Sequence, residues 1–158
     1  MRQCSDPTGS DTVGDVARIR VRTILDASPT AVWRDLQDIG SHAEWMEDAV
    51  TIRFLTAQTT GVGTRFDCDT KIGPIRFTDQ MEVTEWSPGK AMGVRHTGLV
   101  TGTGVFTLKR IRGGRTRFEW RETLQLPIWL GGPIGALAAK PVLRWVWRRN
   151  LRNLAERF

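Results

Sequence analysis

From Ala49 to Leu126 apolar and polar positions alternate with a period of two, the spacing of strands that bury one face. The clearest run is Arg65 to Ile72. It sets Phe66, Cys68, Thr70 and Ile72 on one side and Arg65, Asp67, Asp69 and Lys71 on the other. The same reading predicts strands over 50–55, 75–86, 91–96, 100–111 and 115–126, with inward sets such as Ile75, Phe77, Asp79, Met81 and Val83, or Phe118, Trp120, Glu122, Leu124 and Leu126. Between them lie turn sequences: Thr60-Gly61-Val62-Gly63-Thr64, Gly73-Pro74, Ser87-Pro88-Gly89, Gly98 and Arg112-Gly113-Gly114. A weaker alternation over 16–25 predicts one strand more, with Arg18, Arg20 and Arg22 outward. Connections this short make the sheet antiparallel, and a twisted sheet of this extent curls.

The period changes to helical in three places. Ser28-Pro29 places a cap and a first-turn proline before Val32, Trp33 and Leu36. Ser41-His42-Ala43-Glu44 has capping-box spacing and predicts a second short helix through Trp45 and Met46. Residues 133–158 are the only segment long enough for five or more turns. There Leu143, Trp147, Leu151, Leu154 and Phe158 share a face, and Arg144, Arg148, Arg149, Arg152 and Arg157 fall largely on the other side. A long helix and a sheet need each other to bury their apolar faces, so the helix is expected across the concave side.

Length narrows the picture to one domain over 15–158, large enough for a real core, after a polar tail at 1–14 that reads as disordered. The tail lacks the regions of a signal peptide. The most apolar run, Leu126 to Ala139, is too short to span a bilayer and is broken by glycine and proline, so stable membrane insertion is not expected. A cytoplasmic location fits the two cysteines, Cys4 and Cys68, whose placement forms neither a disulfide framework nor a metal spacing. Net charge is +6, and residues 127–158 contribute most of it. The favoured reading of that basic bias is a solvated helix face, with peripheral membrane contact the other reading. Nucleic-acid binding is not expected, since the seven tryptophans mostly point inward rather than forming a stacking platform beside the arginines.

Asp79 and Glu122 stand out, because alternation aims both carboxylates inward among Phe77, Met81, Trp120 and Leu124. A buried unpaired carboxylate costs several kcal/mol or takes up a proton. The two are therefore rim residues without chemistry, or else a polar anchor or general acid/base. His96 ends a strand of unsettled parity, so that either it or Arg95 faces inward. His42 lies near Trp45 at the expected cavity entrance. Two isolated histidines do not make a metal site, no nucleophile motif is present, and no cofactor is called for. Gly102 and Gly104 within one strand mean either a bulge that bends the sheet or side chains left out to make room.

Several stretches carry a family resemblance: Ile24 to Trp33, Trp45-Met46, Gly61-Val62-Gly63-Thr64-Arg65-Phe66, Glu82 to Pro88 and Gly113 to Trp120. With the element order, they make residues 16–158 similar to the START-like superfamily of helix-grip proteins, often labelled polyketide cyclase/dehydrase or lipid transport. The resemblance implies an α+β fold: a curved seven-stranded antiparallel sheet wrapped around a long C-terminal helix, with two short helices after the first strand. It also implies an apolar cavity between sheet and helix. Strand parity and the apolar face of the long helix then make Phe66, Thr70, Phe77, Met81, Phe106, Trp120, Leu124, Leu143 and Trp147 candidate ligand-binding residues, with Trp129 on a lid-like loop. The expected function is binding or carriage of a small hydrophobic molecule, lipid or polyketide-like. The alternative is an aromatase/cyclase or dehydratase on a polyketide-like substrate, with Asp79, Glu122 or His96 moving the proton. One scaffold hosts many activities, so fold alone does not choose.

Overall fold

The computed structural model describes residues 16–125 and 132–158. Its order is β1 (Val16–Leu25), α1 (Pro29–Leu36), a 3₁₀ helix (Ile39–Glu44), β2 (Ala49–Phe54), β3 (Arg65–Ile72), β4 (Ile75–Ser87), β5 (Ala91–Thr97), β6 (Thr101–Arg110), a 3₁₀ turn (Arg112–Gly114), β7 (Thr116–Gln125) and α2 (Gly132–Ala155). The seven strands form one antiparallel sheet in the order β1-β7-β6-β5-β4-β3-β2. The tail and the loop carrying Trp129 lie outside the described residues.

Neighbouring strands from β2 to β7 are joined by hairpins, as the turn sequences require. The non-local step is β1, which pairs with β7 along its length, from Val16 opposite Gln125 to Leu25 opposite Thr116. That pairing brings the first and last strands of the chain together and sets β1 under α2. Alternation holds in burial: Phe66, Cys68 and Thr70 of β3 are buried, as are Phe118, Trp120, Glu122 and Leu124 of β7. Past Val83 the β4–β5 register shifts, and the bulge turns Trp86 inward, edge-on to Trp33 with ring centroids 5.1 Å apart. Ser28 caps α1 by accepting from the Ala31 amide at 3.3 Å.

The second short helix departs from the capping-box expectation. It is 3₁₀ rather than α, begins at Ile39, and takes no side-chain cap; the Ser41 hydroxyl instead donates to the Asp38 carbonyl at 2.8 Å. Only four residues separate its end from β2, so the tighter winding finishes before the strand must start.

Helix α2 buries Leu143, Trp147, Leu151 and Leu154, the face read from its spacing. Asn150 joins them, fully buried. Its side-chain carbonyl accepts from the Glu47 amide at 3.0 Å and its amide donates to Asp48 at 2.6 Å, tying the helix to the entry of β2. Arg149 of α2 pairs with Glu47 just ahead of β2, and Arg157, just past the end of α2, bridges Asp35 of α1 and Glu44 of the 3₁₀ helix. Arg144, Arg148 and Arg152 are exposed. Apolar side chains are exposed along α2 as well: Ile134, Leu137, Val142 and Trp145 are all at least half exposed, with Arg144 exposed among them. Among the described residues no helix is long and apolar enough to cross a membrane.

Candidate functional site

Between the sheet and α2 lies a cavity of about 350 Å³, within the range of small-molecule sites. Its walls come from every strand between β2 and β7, from the 3₁₀ helix and from α2. The expected residues Phe66, Thr70, Phe77, Met81, Phe106, Trp120, Leu124, Leu143 and Trp147 all line it, whereas Trp129 falls outside the described residues. Phe106, Trp120 and Trp147 form its aromatic floor. Phe106 meets Trp120 edge-on at 5.1 Å, and Trp120 meets Trp147 at 5.3 Å. Ile75 and Val142, which line the cavity yet are about half exposed, mark where it reaches the surface.

Three strands bring three titratable side chains together inside it. Asp79 of β4, His96 of β5 and Glu122 of β7 are 5%, 8% and 5% exposed. His96 Nδ1 donates to Asp79 Oδ2 at 2.5 Å, and its Nε2 donates to Glu122 Oε1 at 2.6 Å. The Trp120 indole N–H donates to the other Glu122 oxygen. The rim reading of the two carboxylates is thus corrected. They are deep, and an imidazolium donating at both ends compensates them. The parity of β5 resolves with His96 inward and Arg95 outward, the latter donating to Glu82 at 2.8 Å. Burial by itself would lower the pKa of His96, but hydrogen bonds and charge from Asp79 and Glu122 outweigh it and push the value up to about 10. Desolvation raises the Glu122 carboxyl, against the pull of His96 and Trp120.

The two glycines of β6 have different jobs. Gly104 stands opposite Glu122, and a Cβ there would sit 2.8 Å from Glu122 Oε1, so the absent side chain makes room for the carboxylate. Gly102 has φ +144°, and a Cβ would fall 1.9 Å from the Thr123 carbonyl oxygen; it permits a close backbone approach. Of the two sequence readings, room left by an absent side chain holds at Gly104, whereas neither glycine forms a bulge, because β6 keeps an unbroken register with both β5 and β7.

His42 and Trp45 are not at an entrance. Trp45 is 1% exposed, and His42 is buried against it and against Phe106 with ring centroids 5.4 and 6.0 Å away. His42 Nε2 donates to the Leu36 carbonyl at 2.8 Å, and burial lowers its pKa. The short 3₁₀ winding carries both rings under the sheet instead of along its rim. Alternation also left out Asp48, a partly buried cavity-lining carboxyl raised by desolvation and held by Asn150. Its partner could have been suspected, since Asn150 is the one amide on the apolar face of α2 between Trp147 and Leu151.

The family described as polyketide cyclase/dehydrase and lipid transport matches residues 16–158. Solved structures share the fold. The protein TTHA0849 from Thermus thermophilus is 18% identical, with 89% of this chain and 95% of that one covered and a TM-score of 0.75. A START superfamily protein from Mycobacterium smegmatis is 10% identical over 89% and 95% of the two chains, with a TM-score of 0.73. Zhui aromatase/cyclase from Streptomyces sp. R1128 is 14% identical over 89% and 90%, with a TM-score of 0.67. At such identities the likeness establishes the helix-grip fold. A comparison with curated protein sequences finds no significant match.

Proposed function

The chain belongs to the polyketide cyclase/dehydrase and lipid transport family, and with that membership we propose that it binds or carries a small hydrophobic molecule in the cavity under α2. The observation that carries this reading is the cavity itself, about 350 Å³ walled largely by apolar side chains. Burying ligand surface there contributes about 25 cal/mol per Å² before the costs of ordering are met. The few polar groups on the wall fix orientation rather than supply most of the affinity.

Filling the cavity tests it. Ala139 of α2 lines the space without anchoring the polar trio. Ala139→Phe should lower the affinity for Nile red, an uncharged solvatochromic dye, at least tenfold while circular dichroism and the unfolding midpoint stay close to wild type. Unchanged dye affinity in a folded variant would place the ligand elsewhere.

A second reading, an aromatase/cyclase or dehydratase, is favoured by one observation: a histidine hydrogen-bonded at both ring nitrogens by carboxylates inside a ligand-sized cavity. Such a chain can take a proton at one end and release it at the other. Asp79→Asn and Glu122→Gln separate the two readings. For an enzyme, one of them lowers turnover of a polyketide-like substrate on the order of a hundredfold while Nile red still binds. For a carrier, each changes ligand affinity by about 0.5–1.5 kcal/mol, the worth of one hydrogen bond, and no turnover exists to be lost.

A further inference from the structure

The polar groups inside the cavity lean to one sign of charge. Three carboxyl side chains line it (Asp48, Asp79 and Glu122) with two histidines, and among the described residues no lysine or arginine does. Yet the chain holds 23 lysines and arginines and a net charge of +6. The basic exterior encloses an acidic interior.

Proton counting fixes that sign for the trio. With one proton in each of its two hydrogen bonds, the trio of Asp79, His96 and Glu122 carries a net charge of −1 wherever along those bonds the protons sit. His42 does not offset it: its Nε2–H is spent on the Leu36 carbonyl, and the buried ring stays neutral. Asp48 adds no cation either, being held by the neutral Asn150 amide.

The hydrogen-bond inventory of the trio is also uneven. Both oxygens of Glu122 are taken, one by His96 and one by Trp120. Asp79 gives Oδ2 to His96, while its Oδ1 is buried with no partner. An unpaired acceptor in an apolar enclosure has much to gain from a donor. An anionic headgroup brought beside the same charge meets repulsion in a medium that screens poorly.

Building on the cavity-binding reading, we infer that the cavity selects hydrophobic ligands whose polar end is a non-anionic hydrogen-bond donor, a hydroxyl or an amine meeting Asp79, and turns away ligands ending in carboxylate or phosphate. The tail is recognised by the aromatic and aliphatic wall, and the end group by the trio. Selectivity then depends on the charge of Asp79 and Glu122 and not on the shape of the wall.

A matched decyl series tests the inference. Decan-1-ol, decylamine and decanoate share one tail and differ in the end group. At pH 8 they would be titrated against the Nile red complex of the full chain. The alcohol and the amine should displace the dye with affinities on the order of a hundredfold above decanoate, the size of one unit of repulsion at about 6 Å and an effective dielectric constant of about 20. In the Asp79→Asn, Glu122→Gln double variant the three affinities should draw within about threefold. Should the double variant not fold, Asp79→Asn alone should narrow the gap at least fivefold. Decanoate binding as tightly as decanol to the wild type overturns the selectivity and leaves the cavity reading standing, as does a gap that survives in a folded double variant. Failure of all three to displace Nile red overturns both.

Discussion

Replacing His96 with alanine is expected to destabilise the fold by about 3–5 kcal/mol at pH 8, the cost of leaving buried charges without their partner. Asp79 and Glu122 would then face each other across an apolar space with no cation between them. The same arrangement predicts how the wild type responds to pH. His96 is held at about 10 in the fold, against an ordinary 6.5. Its protonated form therefore stabilises the native state fully below 6.5, and the contribution is lost as pH rises through 10. Glu122 has the same sign, starting lower: its carboxyl is raised above the ordinary 4.5, so its contribution begins to fall as pH rises past that value. Wild-type stability should drop by about 3 kcal/mol or more between pH 6.5 and 10. His96→Ala should lose most of that slope and instead recover stability on acidification, as the stranded carboxylates take up protons. Urea midpoints across pH 4–10 measure both. A wild-type profile that is flat above pH 6.5 would remove the bridging imidazolium from consideration.

Gly102→Ala is expected to cost at least about 3 kcal/mol. Two penalties combine there. Positive φ costs a residue with a Cβ about 1–2 kcal/mol, and the methyl would land 1.9 Å from the Thr123 carbonyl oxygen, which belongs to the β7 backbone and cannot swing away. Relief requires β6 and β7 to part where Leu124 faces the cavity. Gly104→Ala makes the comparison, since its φ lies outside the left-handed region and its nearest neighbours are the carboxylate oxygens of Glu122, the far end of a side chain. It should cost less in stability but disturb the His96 bridge and flatten the pH profile described above. Equal midpoints for the two variants, or a Gly102→Ala loss below about 1 kcal/mol, would contradict this division of roles.

Strand parity is a local property, because a period of two sends each successive side chain to opposite faces. The alternation of β3, β4 and β7 therefore located Phe66, Thr70, Phe77, Met81, Trp120 and Leu124 on the cavity wall, and Asp79 and Glu122 with them. The apolar face of α2 was local as well, since steps of three and four are the repeat of the helix itself. So were Ser28 and the hairpin turns.

The meeting of Asp79, His96 and Glu122 was not local. It depends on the β4–β5–β6–β7 registers, which place Met81 opposite His96, His96 opposite Gly102 and Gly104 opposite Glu122. Sequence spacing encodes no register across strands, and β5 is too short and too interrupted by Gly93 for its parity to be read alone. The depth of His42 and Trp45 also escaped, because a 3₁₀ helix and an α-helix share the same capping vocabulary but aim later side chains differently. The outer side of α2 shows the same limit. Composition foretold its basic charge, yet which residues face out along the first turns depends on how the helix lies on β1. Local periodicity thus wrote the wall of the cavity into the chain, while the hydrogen-bonded trio within it arose from non-local pairing, where loop closure and strand register are settled by the packed whole.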